Sequence, residues 1–144
     1  MRVHACRLTP GTDLKAELER ITEAHALRAG CILSCVGSLS RARLRMPGAI
    51  GDAGVFRTFV EPMEIVSLTG TLCPEGLHVH ISLSRHDGSC IGGHLVQGCI
   101  VNTTAELVIG DLPRVEFRRL LDSATGYAEL TVLPRPSESD RSTR

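Results

Sequence analysis

Short runs of alternating or continuous apolar residues, separated by breaks rich in Gly, Pro and Asp, predict that most of this chain forms β-strands. The predicted strands cover residues 2–8, 31–36, 39–46, 55–60, 63–73, 77–84, 90–96, 99–109, 115–121 and 127–133. One helical stripe interrupts this pattern after the first strand. A single helix among many closely spaced strands indicates an α+β fold with mainly antiparallel sheet.

The helical stripe consists of Leu14, Leu18, Ile21 and Ala24. Thr12 is the predicted N-cap, because a hydroxyl there accepts a hydrogen bond from a free backbone N–H of the first turn. Asp13 would favour the positive end of the helix dipole. Gly30 is predicted to end the helix, since glycine commonly occupies the position after a helical C-terminus. Core packing is a sufficient role for this helix.

Residues 39–46 alternate again after an interruption at Gly37 and Ser38. The small and apolar positions of this strand, Ala42, Leu44 and Met46, are predicted to face inward. The opposite face then carries a row of three arginines, Arg41, Arg43 and Arg45. Such a row can clamp phosphate or carboxylate groups, DNA included, but it is more often a solvated face or a guard against edge pairing. We favour the solvated face.

Two histidines in one predicted strand, His78 and His80, point to the same face because strand side chains alternate. The position of a third, His94, depends on the turn that joins its strand to theirs. A two-residue turn at Asp87-Gly88 would place His94 opposite Ile81. A type I turn followed by Gly88 as a positive-φ bulge would place His94 opposite His80.

The hydrophobic pattern favours the second turn, because a slip of one residue moves every side chain of a strand to the other face. In this register one face collects the apolar residues Leu77, Val79, Ile81, Leu83, Ile91 and Leu95, with Gly93. The other face collects His78, His80, Ser82, Ser84, Cys90, Gly92, His94 and Val96. The sequence therefore predicts that the three imidazoles are neighbours.

Three neutral imidazoles with an open coordination position suit zinc or another divalent transition metal. We interpret His78, His80 and His94 as metal ligands, and we expect Gly92 and Gly93 beside His94 to leave room for a small-molecule ligand. The alternative is that these are ordinary polar residues on the wetter face of a half-buried sheet. A histidine pair at this spacing also occurs by chance, so this set is less specific than a double CxxC motif.

Composition narrows the functional classes further. Sixteen basic and sixteen acidic residues balance, so no global field attracts nucleic acid or an anionic membrane. The chain has six cysteines but no CxxC pair, which argues against a redox motif or a zinc ribbon. With no apolar segment typical of a signal peptide or a membrane span, the sequence predicts a cytoplasmic protein with reduced thiols.

Two segments are predicted to lack regular structure. Residues 47–54 contain three glycines and indicate a flexible loop. Residues 134–144, rich in Pro, Ser and charge, are predicted to be a disordered tail. The remaining residues, 1–133, are interpreted as a single domain.

Several motifs resemble the plants-and-prokaryotes-conserved (PPC) domain family, in its stand-alone prokaryotic form without an AT-hook. They are residues 30–39, 63–72, 78–83, 92–95 and 104–106, and the resemblance extends from about residue 3 to residue 133. It implies an α+β sandwich-like fold that assembles as a homotrimer, with a metal or ligand site at His78, His80 and His94. In plants the domain accompanies AT-hook DNA-binding proteins, and bacterial members are commonly described as candidate DNA-binding proteins.

Three functional hypotheses follow. The first is a trimeric metal-binding protein that acts on or binds a small molecule, with Glu106 as a candidate general base or support for a ligand. The second is a DNA-binding regulator that uses Arg41, Arg43 and Arg45; the Arg-Gly-Arg-Pro hook that grips DNA is absent from the sequence. The third is an interaction scaffold whose strands only trimerise. The neutral charge leads us to favour the first.

Overall fold

The structure is a computed structural model that describes residues 1–48 and 54–136. Its elements, in chain order, are β1 (Arg2–Leu8), α1 (Leu14–Ala24), β2 (Gly30–Arg45), β3 (Phe56–Phe59), β4 (Met63–Cys73), β5 (Gly76–Ser84), β6 (Cys90–Leu95), β7 (Ile100–Asp111), β8 (Val115–Leu121) and β9 (Ala128–Pro134). The predicted α+β fold with one principal helix is confirmed, and most strand bounds agree with the prediction within two residues.

Seven strands form one antiparallel sheet in the order β1-β7-β2-β4-β5-β6, with β3 paired to β2. The far end of β2 also pairs with β6. Strands β2, β4, β5 and β6 therefore close into a ring. Strands β8 and β9 form a separate antiparallel hairpin.

The long strand β2 makes this closure possible. The sequence predicts a break at Gly37 and Ser38, and this prediction is wrong, because β2 continues through both residues. Gly37 is required for close approach instead, since a Cβ atom at this position would lie 2.1 Å from the carbonyl oxygen of Thr104 in β7. Irregular pairing around Ile32, Gly37 and Leu39 lets β2 change partners along its length.

Helix α1 begins one residue later than predicted. Asp13, not Thr12, is the N-cap, because the Asp13 carboxylate accepts hydrogen bonds from the backbone N–H groups of Lys15 and Ala16. On the helix, Leu14, Leu18 and Ile21 are buried as predicted. Ala24 is exposed.

The helix ends at Ala24, six residues before the predicted stop at Gly30. Ala26 adopts the left-handed conformation with φ of +50°. The N–H of Ala26 donates to the Glu23 carbonyl, and the N–H of Leu27 donates to the Thr22 carbonyl. This hydrogen-bond pattern is a Schellman C-cap with alanine where glycine is usual. Gly30 instead begins β2, where a Cβ atom would lie 3.1 Å from the Cβ of Leu72.

One aliphatic core fills the space between the helix and the sheet. Strands β5 and β6, which carry His78, His80 and His94, contribute four residues to this core. They are Val79, Ile81, Leu83 and Leu95, each at most 2% exposed. Alternation assigned these four residues to the inner face, together with Leu77 and Ile91, which are partly buried against the same core. In β2, Ala42 and Leu44 are fully buried, as predicted.

The β8–β9 hairpin packs against one end of the sheet through a small second cluster of Ala29, Cys73 and Phe117. The Glu75 carboxylate, in the turn between β4 and β5, accepts hydrogen bonds from the Arg118 guanidinium and from the backbone N–H of Arg119, the latter at 2.7 Å. These bonds lower the pKa of Glu75. The hairpin is thereby held beside the start of β5.

Most of the predicted loop at 47–54 and most of the predicted tail lie outside the described residues, which omit 49–53 and 137–144. Pro134 belongs to β9, and the N–H of Arg135 donates to the carbonyl of Arg114. Within the described part of the chain, no helix has both the length and the apolar character needed to cross a membrane.

Gly37→Ala is expected to lower the free energy of unfolding by about 2–3 kcal/mol, because the new Cβ would overlap the backbone of β7. Chemical denaturation monitored by circular dichroism measures this change. Val36→Ala is a matched control, since Val36 is the neighbouring residue and is 61% exposed. Equal stability losses in the two variants would contradict the close-approach role of Gly37.

Candidate metal centre

The turn between β5 and β6 has the predicted three-residue geometry. Gly88 adopts φ of +78°, and its N–H donates to the carbonyl of Arg85 at 2.9 Å. The N–H of Arg85 donates in turn to the Ser89 carbonyl at 2.9 Å. Asp87 stabilises the turn by accepting hydrogen bonds from the backbone N–H and the hydroxyl of Ser89.

This turn fixes the strand register. His80 lies opposite His94, and Ile81 lies opposite Gly93, so the predicted register is confirmed. The ring centroids of His78, His80 and His94 are 5.0, 5.2 and 5.5 Å apart. The three rings therefore form a compact cluster on the face of the sheet opposite the core.

The nitrogen atoms of the cluster are close enough to share one ion. One ligand atom from each ring can be chosen so that all three lie within 4.8 Å of one another. The Nε2 atoms of His78 and His80 are 3.2 Å apart. Two imidazole nitrogens bound tetrahedrally to zinc, each about 2.0–2.1 Å from the metal, are about 3.3 Å apart. The donor set therefore fits a tetrahedral transition metal with one position open.

Burial and nearby positive charge favour the neutral form of His78 and of His94, and the neutral form of histidine is the one that binds metal. Burial, Arg45 and the other two histidines lower the pKa of His94 to about 4. Burial and His80 lower the pKa of His78. The Nδ1 atom of His94 is buried and has no hydrogen-bond partner among the described residues.

Two cavities adjoin the cluster. The first, of about 500 Å³, has Arg45, His78, His94, Arg119 and Glu129 in its wall. The second, of about 380 Å³, is lined by His80, Gly92, Gly93 and residues 45–48, and it also reaches His94. His94 and Arg45 contribute to both cavities, so the imidazoles are accessible from two sides.

The two glycines beside His94 serve the sheet as well as the cavity. A Cβ atom on Gly92 would lie 2.7 Å from the carbonyl oxygen of Ile81, and one on Gly93 would lie 2.9 Å from the carbonyl oxygen of Arg45. Larger residues at these positions would push β6 away from β5 and β2. Gly92 and Gly93 thus allow the close strand contacts that hold His94 in place.

Glu106 is not brought to the histidines. It lies on β7 opposite Val36 of β2 and Arg7 of β1, with β2 and β4 between it and β5. The acidic residues that do line the first cavity are Glu75 and Glu129. Sequence reasoning missed them, because the β8–β9 hairpin packs beside β5 through contacts between distant parts of the chain. No local sequence pattern indicates that packing.

The arginine row of β2 is divided among three environments. Arg41 is exposed. The Arg43 guanidinium lies over the ring of Phe56, 4.4 Å from its centroid, which is a cation–π arrangement. Arg45 pairs with His94 across β2 and β6. These three side chains therefore do not present one uniform basic surface.

Comparison with known proteins agrees with the motifs in the sequence. The model of the Plants and Prokaryotes Conserved (PCC) domain matches residues 1–113. A curated relative, the bifunctional protein GlmU of a Synechococcus strain, is 46% identical over 134 residues, which are 93% of this chain. The chain spans about a fifth of the length of that relative. AT-hook motif nuclear-localized protein 27 of Arabidopsis thaliana is 26% identical over 83% of this chain and 42% of its own length.

Solved structures share the whole fold. A hypothetical protein from Salmonella is 38% identical with a TM-score of 0.88, over 94% of this chain and 95% of its own. A protein from Bacteroides thetaiotaomicron, described as a candidate DNA-binding protein, is 26% identical with a TM-score of 0.79, over 90% and 91% of the two chains. A metal-containing protein from Archaeoglobus fulgidus is 26% identical with a TM-score of 0.73, over 91% and 94%.

Proposed function

The chain belongs to the Plants and Prokaryotes Conserved domain family, and from this premise we propose that it is a metal-binding protein. A divalent transition-metal ion is held by His78, His80 and His94, and zinc is the metal that we propose. The open coordination position of that ion faces a small molecule in the adjoining cavity. The family accommodates more than one activity, so the proposal depends on the site and not on the fold alone.

The observation that carries the proposal is the convergence of three imidazole nitrogens within 4.8 Å of one another. Two further features support it. The 3.2 Å separation of the His78 and His80 nitrogens suits tetrahedral coordination, and the buried Nδ1 of His94 lacks a hydrogen-bond partner among the described residues. The description of the Archaeoglobus relative as metal-containing is also in accord.

The donor chemistry favours zinc over hard cations. Imidazole nitrogen suits Zn, Cu, Fe and Ni, whereas Ca²⁺ and Mg²⁺ prefer oxygen ligands. A zinc ion held by three protein ligands supplies a Lewis acid and lowers the pKa of a bound water. The β5–β6 register orients the imidazoles. The β8–β9 hairpin forms part of the wall of the cavity beside them.

Replacement of His78, His80 or His94 by Ala is expected to lower zinc affinity by more than about 100-fold. Loss of a residue that only hydrogen-bonds a metal ligand already lowers metal affinity by about 10- to 100-fold, and loss of the ligand itself costs more. Isothermal titration calorimetry with Zn²⁺ measures the affinity of each purified variant. His86→Ala is the matched control: His86 lies in the same hairpin, with a side chain that is 80% exposed.

Wild-type protein that binds no zinc, or His86→Ala with the same loss as the other three variants, would contradict the metal site. Thermal unfolding in EDTA separates a folding defect from a lost ligand. The four metal-free variants are expected to unfold at similar temperatures.

We further propose that the protein is a homotrimer, as the family resemblance implies. Exposed apolar side chains on the outer face of the sheet support an interface there. Met1, Val3 and Leu33 are 69%, 56% and 47% exposed, and Met1 and Leu33 both flank Gly110. Apolar groups clustered in this way are typical of surfaces that contact another protein.

Light scattering coupled to size-exclusion chromatography is expected to give three times the 15.5 kDa mass of the chain. Leu33→Asp should shift the protein toward lower mass, because a carboxylate in an apolar interface is poorly solvated. Leu121→Asp, at a 78% exposed position of the β8–β9 hairpin, is expected to leave the mass unchanged. A monomeric wild type would contradict the trimer.

DNA binding is a second candidate function, favoured by the descriptions of the Bacteroides and Arabidopsis relatives. The residues that would serve it are Arg41, Arg43 and Arg45. Arg41 is exposed, but Arg43 contacts Phe56 and Arg45 lines the cavities. With a net charge of zero, the chain has no overall positive field that would attract DNA.

We expect no retardation of a generic duplex in a gel-shift assay at low salt, where phosphate contacts are strongest. Retardation that falls with added salt, and that Arg41→Ala weakens while His86→Ala does not, would instead establish the DNA-binding function.

A further inference from the structure

We propose that the cavity of about 500 Å³ beside the histidines is a subsite for a small oxyanion. The ligand class that we propose is a hydroxycarboxylate. Arg45 and Arg119 bind its carboxylate, and a second oxygen of the same molecule reaches the metal. That second contact rests on the proposed metal site, whereas the arginine contacts do not.

Arg45 enters the cavity from β2. It lies directly opposite His94 in the β2–β6 pairing, and it lines the cavity together with His78 and His94. It forms no ion pair with a carboxylate among the described residues. A half-buried guanidinium without an anionic partner, next to three neutral imidazoles, is suited to an incoming anion.

Arg119 reaches the cavity from β8. Its Nη2 donates to the hydroxyl of Thr71 at 2.7 Å, and Thr71 lies opposite His78 in the β4–β5 pairing. A neutral hydroxyl therefore orients this guanidinium without neutralising its charge. The Arg119 side chain forms no other hydrogen bond with the described residues, so the remaining guanidinium N–H groups can form the paired hydrogen bonds that guanidinium makes with carboxylate or phosphate.

The acidic residues in the wall offset this charge only in part. The Glu75 carboxylate is held by the Arg118 guanidinium and by the backbone N–H of Arg119. Glu129 forms no hydrogen bond or ion pair within the described residues, and its charge acts on His78. With a dication at the imidazoles the cavity is positive, so it favours an anion.

Glu129 also narrows the ligand class. A carboxylate acceptor in the wall binds a hydroxyl group and repels a second anionic group. The cavity therefore suits a molecule with one carboxylate and a neighbouring hydroxyl better than a dicarboxylate. Its volume lies at the small end of the range found for ligand pockets, about 300–1,000 Å³.

The test measures calorimetric binding of glycolate, of its neutral analogue glycolamide and of inorganic phosphate, to zinc-loaded and to metal-free protein. Glycolate is expected to bind the zinc-loaded wild type and glycolamide is not. Arg45→Gln and Arg119→Gln should each weaken glycolate binding by about 10- to 100-fold, the effect of losing a hydrogen bond from a charged group, while zinc affinity is retained. Arg41→Gln, an exposed arginine of the same strand as Arg45, is the matched control.

The outcomes separate this subsite from the metal proposal. Zinc binding with no anion binding, or anion binding that the two variants leave unchanged, overturns the subsite and leaves the metal site standing. Arginine-dependent anion binding to a protein that takes up no zinc supports the subsite and overturns the metal site. Phosphate that binds more tightly than glycolate, with the same arginine dependence, supports an oxyanion subsite and identifies phosphate as the preferred group.

Discussion

The pairing of His80 with His94 across β5 and β6 is the constraint on which the candidate site depends. Side chains alternate along a strand, so a slip of one residue at this turn would carry His94 into the core and expose an apolar residue in its place. Gly88 prevents the slip by adopting φ of +78° in a three-residue turn. The same register places Ile81, Leu83 and Leu95 in the core, and therefore the stability of the fold and the geometry of the site have one origin.

Strand β2 gives this hairpin its surroundings. It pairs with β7 as far as Arg41 and with β4 as far as Leu39. Its last residues pair with β3 and β6, and the β6 pairing closes a ring of four strands. That closure brings the backbone of Arg45 to His94, and Gly93 permits it because a Cβ atom there would meet the Arg45 carbonyl at 2.9 Å. A glycine that keeps the sheet together thus also brings the backbone of Arg45 close to the strand that carries a candidate metal ligand.

Charge around the histidines is consistent with the chemistry we propose. Burial, Arg45 and the other two histidines lower the pKa of His94 to about 4, so protons compete weakly with a metal for its lone pair. Arg45 and Arg119 provide the positive wall that an anionic ligand requires. The β8–β9 hairpin, held by Glu75 and by the burial of Phe117, supplies Arg119 and Glu129 and completes the cavity.

Local pattern alone determined most of the strands, their buried faces and the three-histidine cluster, because alternation and turn chemistry act within a few residues of the chain. It failed at Gly37 and Ser38, where β2 continues without a break. The end of helix α1 is also set by local hydrogen bonds, but the sequence did not indicate it. The Schellman cap places alanine at position 26, where glycine would have marked the end of the helix. Only the tertiary structure decided which arginines and acids face the histidines. Arg45, Arg119 and Glu129 meet them because β2 changes partners at its irregular pairings and because a distant hairpin docks. Both events depend on packing between segments that are far apart in the sequence.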